Sequence, residues 1–423
     1  LPFITLMINL LGFGILLFIG WNNKDFIIRN LGKSPSLGYY FSYIYPYTFF
    51  LLIFYWLEAF AWGLHKGVMT NFLRETAIRV LTSILIVLFG LHWIDLNQFI
   101  GLFSCIYLLP MLYLLFNLIR SGQWSISNFK ISGVTKRLKG RMISFALFVF
   151  AGQFFNLLAR TNDTFMIVGL KGLSDASIFA IATYVSAILE IPQRSLTSIS
   201  IPILAKSWKE KDYDNIKHIY HKSVSNLLAV GLLLFGLIWL NIQNLVSFLN
   251  WVSHKQGGGY DALVNLAFIL GLAKLIDLAT GVNAQIIGTS NYWKFDFFTN
   301  VMFVIVSIPL NYYLIQHYDL TGLAVSNLIA YTLYNTVRFA FLYKKFNLQP
   351  YRWKHGLFLL LSIGLMLLVH QIPAPSNFVL NIAIQSTVYA MGFYLLTIWI
   401  NPAPEILDYA KGFVQKQLNR FVK

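Results

Sequence analysis

Two pairs of oppositely charged residues interrupt long apolar runs: Glu190 and Arg194, four apart, in residues 177–205, and Lys274 and Asp277, three apart, in residues 260–288. At those spacings both members of a pair share one helix face. A charged residue at mid-bilayer depth costs about 2.5–3.5 kcal/mol on an insertion scale, so each is a candidate for function. The chemistry open to this set is binding rather than bond-making. Arg194 and Lys274 would attract an anionic headgroup in a water-filled space, while Glu190 and Asp277 balance them or carry a coupling proton or Na⁺. The plainer alternative is that each pair neutralises itself along its own helix and fixes packing, although two pairs at one depth favour the binding reading. Arg160 and Asp163 form a third pair, three apart, near the outer end of the run that starts at 142. Snorkelling costs little there, so an outer gate and a bland boundary are equal readings.

Little else offers chemistry. Cys105 is the single cysteine and lies in an apolar run, which leaves no disulfide framework or thiolate metal site. His218 and His221 lack a third ligand, and Gly257–Gly259 is followed by no Gly-Lys-Ser/Thr, so neither a metal nor a cofactor is expected. Glu58 and Arg338 sit towards the inner ends of their runs and read as interfacial anchors.

The elements that must position these residues follow from composition. The chain is 57% hydrophobic and 11% charged, against roughly 25% charged in soluble domains. Apolar runs lie near 3–21, 39–62, 77–94, 98–119, 142–168, 177–205, 220–249, 260–288, 295–316, 321–343, 356–371 and 378–400. They do not alternate in polarity as barrel strands do, so the fold class is all-α: a polytopic membrane protein of about twelve transmembrane helices.

With residue 1 on the cytoplasmic side, the cytoplasmic breaks hold 23 Lys and Arg and the opposite breaks hold five: Lys24, Arg29, Lys33, Lys171 and Lys255. This asymmetry places both termini in the cytoplasm and assigns the net charge of +16 to membrane topology and lipid headgroups rather than to nucleic acid. The segment 120–141 has six basic and no acidic residues and reads as a basic cytoplasmic linker. It separates an N-terminal helical lobe, 1–119, from a C-terminal lobe, 142–345. Two additional transmembrane helices fill 346–403, and 404–423 spaces its apolar residues as an amphipathic basic tail.

The stretch Asn162-Asp163-Thr164-Phe165-Met166-Ile167-Val168-Gly169-Leu170, with Ser177 to Tyr184, Glu190-Ile191-Pro192 and Ile201-Pro202-Ile203-Leu204-Ala205, resembles the polysaccharide flippase family. These are the O-antigen and lipid-linked oligosaccharide transporters of the multidrug/oligosaccharidyl-lipid/polysaccharide exporter superfamily. In that family an Asp ends one long helix, a Gly-containing turn follows, and the next helix runs to a Pro-containing inner end. The likeness is clearest over 142–345. It implies two lobes around a central cavity, and a fourteen-helix fold of which this chain would lack the first two helices.

It also implies alternating access in a bacterial cytoplasmic membrane, in which a polyprenyl-diphosphate-linked oligosaccharide keeps its tail in lipid while its head crosses. Polysaccharide polymerase and glycosyltransferases would then be working partners. Two other readings stay open: a drug or organic-cation antiporter of the same superfamily, and a membrane glycan polymerase or glycosyltransferase. An enzyme is not expected, because the longest external break, Asn22 to Gly38, carries Asp25 as its one acid.

Overall fold

Apolar runs without water to bond must satisfy their own backbone N–H and C=O groups, and helices do so within a single segment. The computed structural model follows this rule: the described residues are overwhelmingly helical, and none of them forms a strand. The structure describes residues 2–31, 36–64, 66–122, 133–252, 259–372 and 378–402. The expected 404–423 tail helix, linker residues 123–132 and the glycines 257 and 258 lie outside the described residues.

The main helices are α1 (Pro2–Asn22), α2 (Ile44–Gly63), α3 (Ile78–Gly90), α4 (Leu96–Ser104), α5 (Leu108–Arg120), α6 (Gly133–Leu170), α7 (Leu173–Ala187), α8 (Glu190–Glu210), α9 (Tyr213–Val252), α10 (Ala262–Ala279), α11 (Asn283–Gly288), α12 (Trp293–Phe346), α13 (Trp353–His370) and α14 (Phe378–Ile400). Each expected run is helical over most of its length. Among the described residues, eight helices are long and apolar enough to cross a membrane, or nine when the bent pair α7–α8 is one span. The chain is a multi-pass membrane protein. Ile305, Leu360, Leu395 and Trp399 are exposed on its helices, an arrangement that suits lipid as solvent.

α12 shows how single stretches double the crossings. Its 54 residues as one straight helix would reach about 81 Å, far beyond a hydrocarbon core of about 30 Å. Tyr318 and Asp319 leave helical geometry, Asp319 with φ 53° and ψ −144°. Gly322 then lies against the carbonyl of Leu314, so close that a Cβ would sit 2.1 Å from its oxygen. The chain folds back there, and side chains of the two halves pair at growing separations: Asn311 with Ser326, Asn300 with Tyr334, and Asp296 with Arg338.

The chain divides into two compact units, Leu1–Ala146 and Leu147–Lys423. In the first, Phe54, Leu57 and Ala61 of α2 pack with Leu114 and Leu118 of α5. Asp95 starts α4 with a capping box to Gln98, meeting two backbone donors that a helix start leaves open. Glu58, expected as an interfacial anchor, is instead buried and pairs with Arg74 at 3.2 Å. A carboxylate among apolar neighbours is held by the nearest cation rather than by water.

In the second unit α10 is the central helix. Its Leu263, Leu266 and Leu270 pack with Ile178, Phe179 and Ala182 of α7 and with Leu323 of α12. Its Leu275 and Leu278 pack with Leu228 and Leu232 of α9. Phe358 of α13 and Tyr389 of α14 belong to the same core, and Tyr389 donates to the Leu232 carbonyl at 3.0 Å. Gly236 permits that approach, since a Cβ there would lie 2.2 Å from the Tyr389 hydroxyl. Before α13, the Tyr351 hydroxyl donates to the Ala279 carbonyl at 3.1 Å. Burial pushes this phenol up to about 12, so it stays a donor at ordinary pH.

Candidate functional site

Pro192 has no N–H to give to the Ile188 carbonyl one turn back, and its ring crowds that carbonyl. The expected single helix over 177–205 accordingly breaks before Glu190, and its two parts, α7 and the start of α8, meet at a bend of 50°. Glu190, Gln193 and Arg194 fall on the first turns of α8. They meet Lys274 and Asp277 of the central helix α10, and Tyr331 and Asn335 from the second half of α12.

One carboxylate joins two cations. Glu190 accepts from Arg194 at 2.9 Å through one oxygen and from Lys274 at 2.5 Å through the other. The Lys274 ammonium also donates to the Tyr331 hydroxyl at 2.9 Å and lies 4.5 Å from the centre of that ring. Exposure is graded: the Arg194 side chain is 57% exposed, that of Lys274 19% and that of Glu190 15%. Arg194 is therefore the more accessible of the two cations.

Asp277 is satisfied by neutral amides. Gln193 donates to one of its oxygens at 3.0 Å and Asn335 to the other at 2.9 Å. The Asn335 carbonyl in turn accepts from Thr280 at 2.9 Å and from Asn283 at 3.0 Å. The self-neutralising alternative thus holds for Glu190 and Arg194 but not for Lys274 and Asp277. Lys274 and Asp277 share a face of α10, yet each takes its partners from α8 and α12 rather than from the other: Glu190 and Tyr331 for Lys274, Gln193 and Asn335 for Asp277. Glu190, Arg194, Lys274 and Asp277 come together in one cluster, the convergence of two helices that the binding reading expects.

Gln193, Tyr331 and Asn335 were not among the expected site residues. For Tyr331 and Asn335 the signal is a polar stripe: Asn327, Tyr331, Asn335 and Arg338 recur every three or four residues within an otherwise apolar helix.

Asp163 belongs to a second cluster. It accepts from Asn311 at 2.7 Å and from Asn327 at 2.6 Å, so it ties α6 to both halves of α12. The Arg160 side chain, its expected partner, lies outside the described residues. Lys171, just past α6, forms an ion pair with Asp319 at the α12 corner.

A third cluster corrects the anchor reading of Arg338. Its side chain is 3% exposed and pairs with Asp296. It also donates to Thr299 at 3.0 Å and lies 3.9 Å from the Tyr334 ring centre. The hairpin brings Asp296 level with Arg338, and ion pairing inside the bundle replaces snorkelling. Among the described residues, no group of three or more His, Cys, Asp and Glu side chains is placed to hold a metal.

Fold and cluster define a class: a polytopic helical membrane protein in which oppositely charged side chains from separate helices meet inside one bundle. Comparison with solved structures is more specific. Over 92% of this chain and 81% of the other, the fold matches the lipid II flippase MurJ in an inward closed conformation, with a TM-score of 0.68 at 13% identity. The MATE transporter VcmN of Vibrio cholerae, in its bent form, matches over 79% of this chain and 76% of its own, with a TM-score of 0.51 at 11% identity. No protein-family model and no curated protein sequence matches the chain.

Proposed function

We propose that the chain is a flippase for a polyprenyl-diphosphate-linked oligosaccharide, working by alternating access in a bacterial cytoplasmic membrane. The observation that carries this reading is the pair of cations, Arg194 and Lys274, held 2.9 and 2.5 Å from a shared carboxylate at the bend between α7 and α8. A paired cation site within a membrane helix bundle fits a diphosphate, whose charge must leave water to cross. The likeness in fold to a lipid-linked flippase supports the same choice. In this reading Arg194 and Lys274 bind the headgroup, Glu190 and Asp277 balance or couple charge, and Arg160 and Asp163 close the outer end. A proton or Na⁺ gradient drives the cycle, sugar transferases and a polymerase handle the substrate on either side, and both termini face the cytoplasm.

The drug or organic-cation antiporter is the second reading. Asp163 favours it, a carboxylate held by two amides and suited to a cation. The test is purified protein in proteoliposomes containing a fluorescent polyprenyl-diphosphate disaccharide, with flipping read as protection from an external quencher. Arg194→Gln and Lys274→Gln should each slow flipping by about ten- to a hundredfold, the worth of a charge-assisted hydrogen bond. Flipping at the unmodified rate in both variants refutes the site. Quencher protection no greater than in protein-free vesicles, together with proton-driven uptake of an organic cation, transfers the chain to the second reading.

A further inference from the structure

Resting on the flippase reading, we propose that Glu190 is the resting occupant of the anion site and sets its selectivity. It would keep the monoanionic phosphodiester headgroups of the surrounding membrane out and yield only to a diphosphate.

The geometry has the form of an anion complex already made. A single carboxylate uses both oxygens, one on Lys274 at 2.5 Å and one on Arg194 at 2.9 Å. The same cations, from α10 and α8, would receive the phosphate oxygens of a ligand. A ligand that takes both cations through the donors Glu190 now holds must therefore displace Glu190, and that exchange decides what binds there. A phosphodiester carries one negative charge and exchanges like for like. It gains nothing in Coulomb energy, and it takes Arg194 and Lys274 away from the mostly buried Glu190. A diphosphate brings more charge and more acceptor oxygens, so it can hold both cations more strongly than the carboxylate it displaces.

The surroundings allow such an exchange. Gln193 and Asn335 hold Asp277 apart from the two cations, so Asp277 keeps its own partners while Glu190 moves. Tyr331 keeps a hydrogen bond to Lys274 throughout. Glu190 is the first residue of α8, directly after the bend. Its release therefore acts on the helix joint itself, linking headgroup arrival to the angle between α7 and α8.

The test uses the full chain in nanodiscs of neutral lipid, measuring affinity for farnesyl diphosphate, for phosphatidylglycerol and for inorganic pyrophosphate. The natural protein should prefer farnesyl diphosphate to phosphatidylglycerol. Glu190→Gln should bind phosphatidylglycerol at least about tenfold more tightly, as expected when a competing charge-assisted bond is removed. Glu190→Asp keeps the charge and should keep the preference, which separates exchange from a merely structural role. An unchanged preference in Glu190→Gln, with diphosphate binding still lost in Arg194→Gln, overturns the exchange and leaves the flippase reading standing. No diphosphate binding by the natural protein overturns both. Inorganic pyrophosphate bound as tightly as farnesyl diphosphate assigns the site to the free anion and overturns the lipid source, while the exchange at Glu190 stands.

Discussion

Replacing Arg338 by Gln should separate stability from transport. Arg338 is 3% exposed at its side chain and meets Asp296, Thr299 and the ring of Tyr334. Removing one partner of a buried ion pair costs about 3–5 kcal/mol, because the other charge is left behind. Asp296 keeps 27% of its side chain exposed, so the remaining carboxylate is not sealed in the bundle and the loss should fall near the lower end, about 3 kcal/mol. That is roughly a hundredfold in the folding equilibrium. Chemical denaturation of the purified protein in detergent measures it, and the cycle with Asp296→Asn isolates the pair. The double variant should lose less than the sum of the single variants, by at least about 1 kcal/mol. The proposed flipping, measured well below the unfolding temperature, should persist. Strict additivity, or lost flipping at undiminished stability, refutes the assignment of this pair to the scaffold.

Two further perturbations probe the frame around the site. Asn335→Leu removes the donor to Asp277 and the acceptor for Thr280 and Asn283, so it should lower stability by about 2–3 kcal/mol; detergent denaturation reads the loss, and flipping should slow in the same variant because Asp277 loses its tether. Gly236→Ala drives a methyl to within 2.2 Å of the Tyr389 hydroxyl and 2.3 Å of its ring; thermal unfolding should show a loss of about 1–3 kcal/mol from overpacking, which Tyr389→Leu relieves and Tyr389→Phe does not.

Much of the helical frame is legible in the apolar runs, because a lipid solvent leaves the backbone few alternatives. The break between 316 and 321 coincides with the α12 corner at Tyr318 and Asp319. Residues 177–205 show the limit. They are uniform enough to read as one helix, and only Pro192, acting on the carbonyl before it, betrays the bend. For the candidate site, residue type singles out Glu190, Arg194, Lys274 and Asp277, which the structure brings into one cluster. Their partners were not legible, since spacing along one helix reports neighbours on that helix alone. Lys274 finds Glu190 across 84 positions of chain, and Asp277 finds Asn335 across 58, contacts set by packing around α10. The anchor readings of Glu58 and Arg338 failed for a related reason, as the distance of a residue from the end of a run does not tell which face is turned inward.

The corner at Tyr318 and Asp319 also works as a ruler. Because it has almost no slack, it fixes which rung of one half of α12 faces which rung of the other, from Asn311 and Ser326 beside the turn to Asp296 and Arg338 at the far end. One residue added there would rotate everything beyond it by about 100°, so the amide clamp on Asp163, the tether on Asp277 and the buried ion pair would come undone together. The hairpin makes three polar clusters depend on a single count of residues, so the chain tolerates a longer connection at this corner far less than surface turns ordinarily do.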